Sequence, residues 1–208
     1  MRFFRDHWFD LGACLAVVLS VYIFSDHAIM SRYKLLMSAN LLALFLHQLE
    51  EYRIVGNFPG MINKVIFASA WPDRYPLNTL SALVVNVVVG WGFYGLAAVL
   101  AERAVWLGLA VIMISLGNII VHVFVFNIRG RTIYNAGMFT AVFLFAPIVF
   151  YFFKIVYEAH LIGNFDYWVG IPFGLMLNFV GIFKIVDWMK NRNTTYVFSK
   201  RSVLPSDR

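Results

Sequence analysis

Charge is scarce in this chain. Only 13% of its 208 residues are Asp, Glu, Lys or Arg, against about 25% in soluble domains. Hydrophobic residues make up 61%, and the mean hydropathy is +0.74. A soluble core of this length cannot bury that much apolar surface, so the expected solvent is a bilayer. Cys14 is the one cysteine, which excludes an internal disulfide and leaves the compartment open. Repeats, low-complexity tracts and a composition break that would mark a second domain are all missing. Leu11-Gly12-Ala13-Cys14 resembles a lipoprotein cleavage box. The apolar run follows that box instead of preceding it, so the first segment reads as an uncleaved transmembrane helix. The formal net charge is +6. Its basic residues lie between apolar stretches and in the tail, as topology determinants do, and no nucleic-acid partner is expected.

Six apolar segments are present, at about 8–25, 33–52, 77–101, 104–126, 133–157 and 167–189. Each is near the ~20 residues that a bilayer requires. The predicted class is all-α: a polytopic helical transmembrane bundle of about six spans, forming one domain over 1–189. A basic tail at 190–208 follows and is expected to be mobile. Gly56, Pro59, Gly60, Pro72 and Pro76 punctuate the longest connection as loop. Within it, 61–70 has the composition of a short interfacial helix, with Lys64 turned to head groups. Twelve Lys and Arg fall on one side of the segments, and only Arg32, Lys34 and Arg103 on the other. Both termini are therefore expected in the cytoplasm, with the chain in a bacterial inner membrane.

Ionisable groups inside such segments are costly and mark function by default. His47, Glu50, Glu51 and His122 are the ones that matter here. Helical spacing puts His47, Glu50 and Glu51 on one face, with Asn40 almost above His47 two turns away. Asn118 and His122 share a face of the fourth segment, and Tyr134 and Asn135 open the fifth. All reach the same depth, near the cytoplasmic side. A His and a carboxylate at i and i+4 can hold one metal ion from a rigid helix. The pattern resembles the inverted zincin motif H-x-x-E-H with Glu51 in place of the last histidine. By that analogy His47 and Glu51 are ligands to a divalent metal such as zinc, and Glu50 is the general base. His122 supplies a third ligand or a catalytic group. Asn40, Asn118, Tyr134 and Asn135 are expected to support the ligands.

Structural alternatives stand beside each assignment. Arg53 is available to pair with Glu50 or Glu51 at a solvated helix end, and His122 can donate to a neighbouring carbonyl. Asn135 is a natural helix cap. Asn86, Asn178 and Ser115 suit interhelical hydrogen bonds. Lys184 suits pairing with Asp187, and Asp10 suits pairing with Arg5 or head groups. Trp8, Trp168 and Trp188 lie where an interfacial aromatic belt would be.

His47-Gln48-Leu49-Glu50-Glu51 is similar to the signature of the HXXEE family of small polytopic membrane proteins. The resemblance implies that His47, Glu50 and Glu51 are the centre of function. That family is functionally uncharacterised, so the resemblance implies no reaction. From the residues, the leading expectation is a membrane-embedded metal-dependent hydrolase acting on a lipid-like or isoprenoid amphiphile. A metal-free, proton-shuttling isomerase is the second reading, and a proton or metal transporter or binding protein the third.

Overall fold

The computed structural model describes residues 2–208, which are helical with no strand among them. Helix α1 (Arg2–Asp26) leaves helical geometry at His7, where φ is −136° and ψ is 16°. Helix α2 runs over 32–54, with Ser31 capping it by accepting from the Lys34 N–H at 3.0 Å. A short helix α3 covers 58–66, with Pro59 in its first turn, where a missing N–H costs nothing. Helices α4 (79–100) and α5 (105–130) follow. Helices α6 (Met138–Glu158) and α7 (Asn164–Met189) complete the bundle.

Four helical segments are long and apolar enough to cross a membrane: Arg2–Asp26, Thr79–Gly130, Met138–Glu158 and Asn164–Met189. Thr79–Gly130 is 52 residues long, yet it is not one rod. Ala101, at φ +46°, breaks it, and α4 and α5 pack against one another on either side of the tight turn Ala101–Ala104. Helix α2 falls outside this set because of its polar stripe. It is nevertheless central, packed by α1, α4 and α6. Its Tyr33, Met37 and Leu44 enter a core with Tyr94, Ile112, Phe145 and Phe152. The outward faces of α1, α6 and α7 stay apolar, as Val17, Phe150 and Phe179 show. That is the pattern of helices solvated by lipid.

Helix α7 reaches α5 through two glycines. A Cβ on Gly170 would lie 2.6 Å from the Trp106 carbonyl oxygen, and one on Gly174 would lie 2.7 Å from Met113 Sδ. Small residues here let the backbones approach.

The tail differs from its expectation. Residues 190–208 are docked, not mobile. Thr79 donates to the Tyr196 carbonyl at 3.1 Å, and Phe198 donates to the Asp73 carbonyl at 2.8 Å. Lys64 pairs with Asp207 at 3.2 Å instead of facing head groups. Val203 is buried over Gly60. The short helix accordingly starts earlier than predicted, at Phe58, and its buried face meets the tail. Trp8 also departs from the belt expectation. It is 1% exposed, packed on Tyr52 and Trp91, whereas Trp168 and Trp188 do lie outside. Arg53 pairs with Asp10 through two bonds of 2.7 Å, so it is not the partner of Glu50 or Glu51.

A side chain at Gly60 would place its Cβ 2.6 Å from the Val203 backbone. Gly60→Leu is therefore expected to cost about 1–3 kcal/mol. The readouts are a lower melting temperature in detergent and new trypsin cleavage after Lys200 and Arg201. Unchanged melting and continued resistance would contradict the docked tail.

Candidate functional site

The site forms where α2, α5 and α6 meet. His47 and Glu51 come from adjacent turns of α2, and His122 from α5. All three are at least 96% buried by residue, at 2%, 4% and 1% exposed. Glu51 Oε1 lies 3.5 Å from His47 Nε2 and 3.2 Å from His122 Nε2. The two imidazole rings are 4.9 Å apart and nearly perpendicular. One ligand atom from each of the three residues falls within 4.8 Å of the others.

The surrounding hydrogen bonds fix which nitrogen carries the proton on each ring. Thr140 donates its hydroxyl proton to Glu50 Oε2 at 2.6 Å. Its oxygen must then accept from His47 Nδ1, 2.8 Å away. Asn135 donates from Nδ2 to the His122 carbonyl at 2.7 Å and to Asn127 Oδ1 at 2.9 Å. Its Oδ1 therefore accepts from His122 Nδ1 at 2.8 Å. With both Nδ1 atoms donating, each neutral ring turns a lone pair on Nε2 toward Glu51. His47 Nε2 has no hydrogen-bond partner. Three acceptors thus converge and none of them donates to another, which is an unfavourable arrangement in a dry interior unless a cation or proton joins them.

The two separations from Glu51 suit a cation. Ligands at ~2.1 Å in a tetrahedral site stand about 3.4 Å apart, close to the two separations from Glu51. A ligating His is usually oriented by donating its other ring N–H to an oxygen acceptor, as both Nδ1 atoms do here.

Glu50 faces away from this point. Its carboxylate accepts from Tyr134 Oη at 2.8 Å, Phe139 N at 3.2 Å, Thr140 N at 2.9 Å and Thr140 Oγ1 at 2.6 Å. The two backbone N–H groups belong to the first turn of α6, where helix donors lack partners and negative charge is favoured. Burial and the neighbouring Glu50 carboxylate push the Tyr134 phenol up to about 12, keeping it a donor.

The predicted supporting residues divide. Tyr134 holds Glu50, and Asn135 holds His122 in place of capping a helix. Asn118 bonds to the Ile114 carbonyl of its own helix and lines a chamber beside His47 and Glu51. Asn40 is elsewhere: it accepts from Ser115 at 2.9 Å, and Ser115 also bonds to Tyr94. Asn86 does bridge helices, accepting from Gln48 at 3.1 Å and donating to Tyr52 at 3.2 Å. Asn178 bonds only within its own helix.

Thr140 and Gly137 were not anticipated. Gly137, at φ +100°, turns the chain into α6, and a Cβ there would lie 2.5 Å from His122 Cε1 and 2.8 Å from His47 Cε1. Thr140 is the first polar side chain after Asn135 and lies in the first turn of an apolar helix, a position that does not by itself point to a partner on α2.

The helices carrying these groups each widen near them. Val55 N–H reaches back to the Glu50 carbonyl at 3.1 Å, Phe126 to Val121, and Ala146 to Ala141, each five residues back. Such turns recur at functional sites. The chamber, about 90 Å³, is bounded by Gln48, Tyr52, Phe58, Asn86 and Asn118 together with His47 and Glu51. That is room for several waters.

These features define an all-helical membrane protein with a buried His/Glu cluster whose spacing could hold a metal ion. The family described as "Protein of unknown function with HXXEE motif" matches residues 38–152, and the chain belongs to it. No curated protein and no solved structure matches.

Gly137→Ala inserts a methyl group between the two imidazoles and strains a positive-φ position. It is expected to abolish metal binding while lowering stability by about 1–3 kcal/mol. Metal titration and thermal unfolding in detergent measure the two effects. Wild-type metal affinity in this variant would contradict the facing of the histidines.

Proposed function

We propose that this protein is an integral membrane metalloenzyme, hydrolytic in type, with His47, His122 and Glu51 as the ligands. The observation that carries this reading is the convergence of the Glu51 carboxylate with two imidazoles whose outer nitrogens are already committed as donors. A divalent cation held by these residues, zinc fitting the donor set, would supply polarisation of a carbonyl or phosphoryl oxygen and a bound water with a pKa of about 7. Glu51 is the one acid on the chamber wall, and it is the group placed to take a proton there. Glu50 is a positioning residue, because its carboxylate already accepts from four donors. It holds Thr140, and Thr140 holds His47. Depth near one end of the bundle suits a lipid-like or isoprenoid substrate whose head enters the chamber. A proton-shuttling reading draws on one contact, the 3.2 Å approach of His122 Nε2 to Glu51. There the proton would occupy the place of the cation.

In the membrane, the six long helices are six spans with both termini cytoplasmic, in a bacterial inner membrane. The N-terminal turn of α1, the end of α2 and the tail gather at one end, where Arg5 stacks on Tyr196 and Arg201 reaches the Ile54 carbonyl. That end carries most of the basic residues, as a cytoplasmic face does.

Two measurements test these readings. Protein purified in detergent is expected to hold one divalent metal per chain by elemental mass spectrometry. His47→Ala, Glu51→Ala and His122→Ala should lose it, and Thr140→Val should bind about 10–100-fold more weakly. Near-zero metal in wild type and variants alike would remove the metalloenzyme and leave the proton reading. For topology, a single cysteine at Ser206 in a Cys14→Ser background should react with an impermeant maleimide only after the membrane is opened. Labelling of intact spheroplasts would invert the orientation.

A further inference from the structure

Helices α5 and α7 are pressed together at Gly170 and Gly174, but they part toward the end of the bundle that carries the site. Gly117 marks the level where they begin to separate, with the Asn178 side chain over it: a Cβ there would lie 2.6 Å from Asn178 Oδ1. Around that level a groove of about 370 Å³ lies between the helices, running from Met113 and Leu175 to His122 and Phe183. This is within the range of small-molecule sites.

Three features give the groove an occupant. Its walls are apolar, and Leu116, Ile120, Phe179 and Phe183 along it are exposed where lipid would contact the bundle. It does not end blind: Phe58, Ile62, Ile114, Asn118 and Ile182 line both the groove and the inner chamber, and His122 lines the groove directly. Polar groups occur only near that shared wall. Asn118 and Asn178 each place one N–H on their own helix, to the Ile114 and Gly174 carbonyls. A carboxamide has a second N–H.

We infer that this groove is a lateral entry for one hydrocarbon chain of a membrane amphiphile. The chain lies between α5 and α7, its ester or amide linkage meets Asn118 and Asn178, and its head group reaches the chamber beside Glu51. The inference rests on the proposed metal centre only for what the head group meets; the groove and its chain stand without it.

The probe is a phosphatidylcholine with a diazirine in mid-acyl chain, in vesicles holding the full-length protein. Illumination followed by peptide mass spectrometry maps its insertions. Labels are expected to concentrate severalfold on Leu116, Ile120, Phe179 and Phe183 over the equally lipid-facing Val17, Val21 and Phe150. Ile120→Trp, which fills the groove, should lower groove labelling while leaving metal content at the wild-type level. Even labelling around the perimeter, or groove labelling unchanged by Ile120→Trp, would overturn the inference. Groove labelling in protein that binds no metal would support it and remove the metal reading alone.

Discussion

The Glu50 carboxylate is what the site depends on. Buried between α2 and α6, it would be prohibitive without partners. Four donors satisfy it, and three of them come from the first turn of α6. One side chain thereby pins the start of α6 to the end of α2 and also orders the Thr140 hydroxyl. Because that hydroxyl donates to Glu50, it accepts from His47, and the lone pair of His47 is left on the inner nitrogen. Asn135 does the same for His122 from the loop before α6. Each ring is thus presented in one tautomer and one orientation by groups on a single stretch, 135–140.

This division of labour separates two neighbouring carboxylates. Glu50 is spent on structure and Glu51 is left facing both histidines. The difference follows from one residue of helical phase. Glu51 shares the His47 direction at i+4, while Glu50 at i+3 points to α6. Central placement of α2 makes this possible. Its polar stripe is turned inward, meeting α4 at Gln48, α5 at Asn40 and Glu51, and α6 at His47. The docked tail and α3 close the same end of the bundle, with Phe58 stacked near His122.

Much of this was legible in the sequence. Hydropathy gave the helices, and α2 stood out because ionisable side chains recur on one face at helical spacing. Matching depth was enough to join His122 and Asn135 to His47 and Glu51, since helices of one length in one bilayer align their ends. Other features were not legible for physical reasons. Thr140 acts through a single hydroxyl, and nothing in a β-branched residue near a helix start announces a partner on another helix. The pairing of Arg53 with Asp10 instead of Glu50 depends on where α1 crosses α2. Trp8 looked like a belt residue because belt and core tryptophans are the same in sequence, and only packing on Tyr52 tells them apart. The tail reads as polar and basic, but its docking rests on Val203 meeting a glycine far away in the chain.

The proposed cation would join Glu51 to both imidazoles. X-ray absorption at the metal edge, on protein purified without added chelator, addresses it most directly. The account predicts a first shell of two imidazole nitrogens and one or two oxygens at about 2.0–2.2 Å, with one nitrogen lost in His122→Ala. A shell of oxygens alone, or an absorbing metal whose shell is unchanged in that variant, would contradict it.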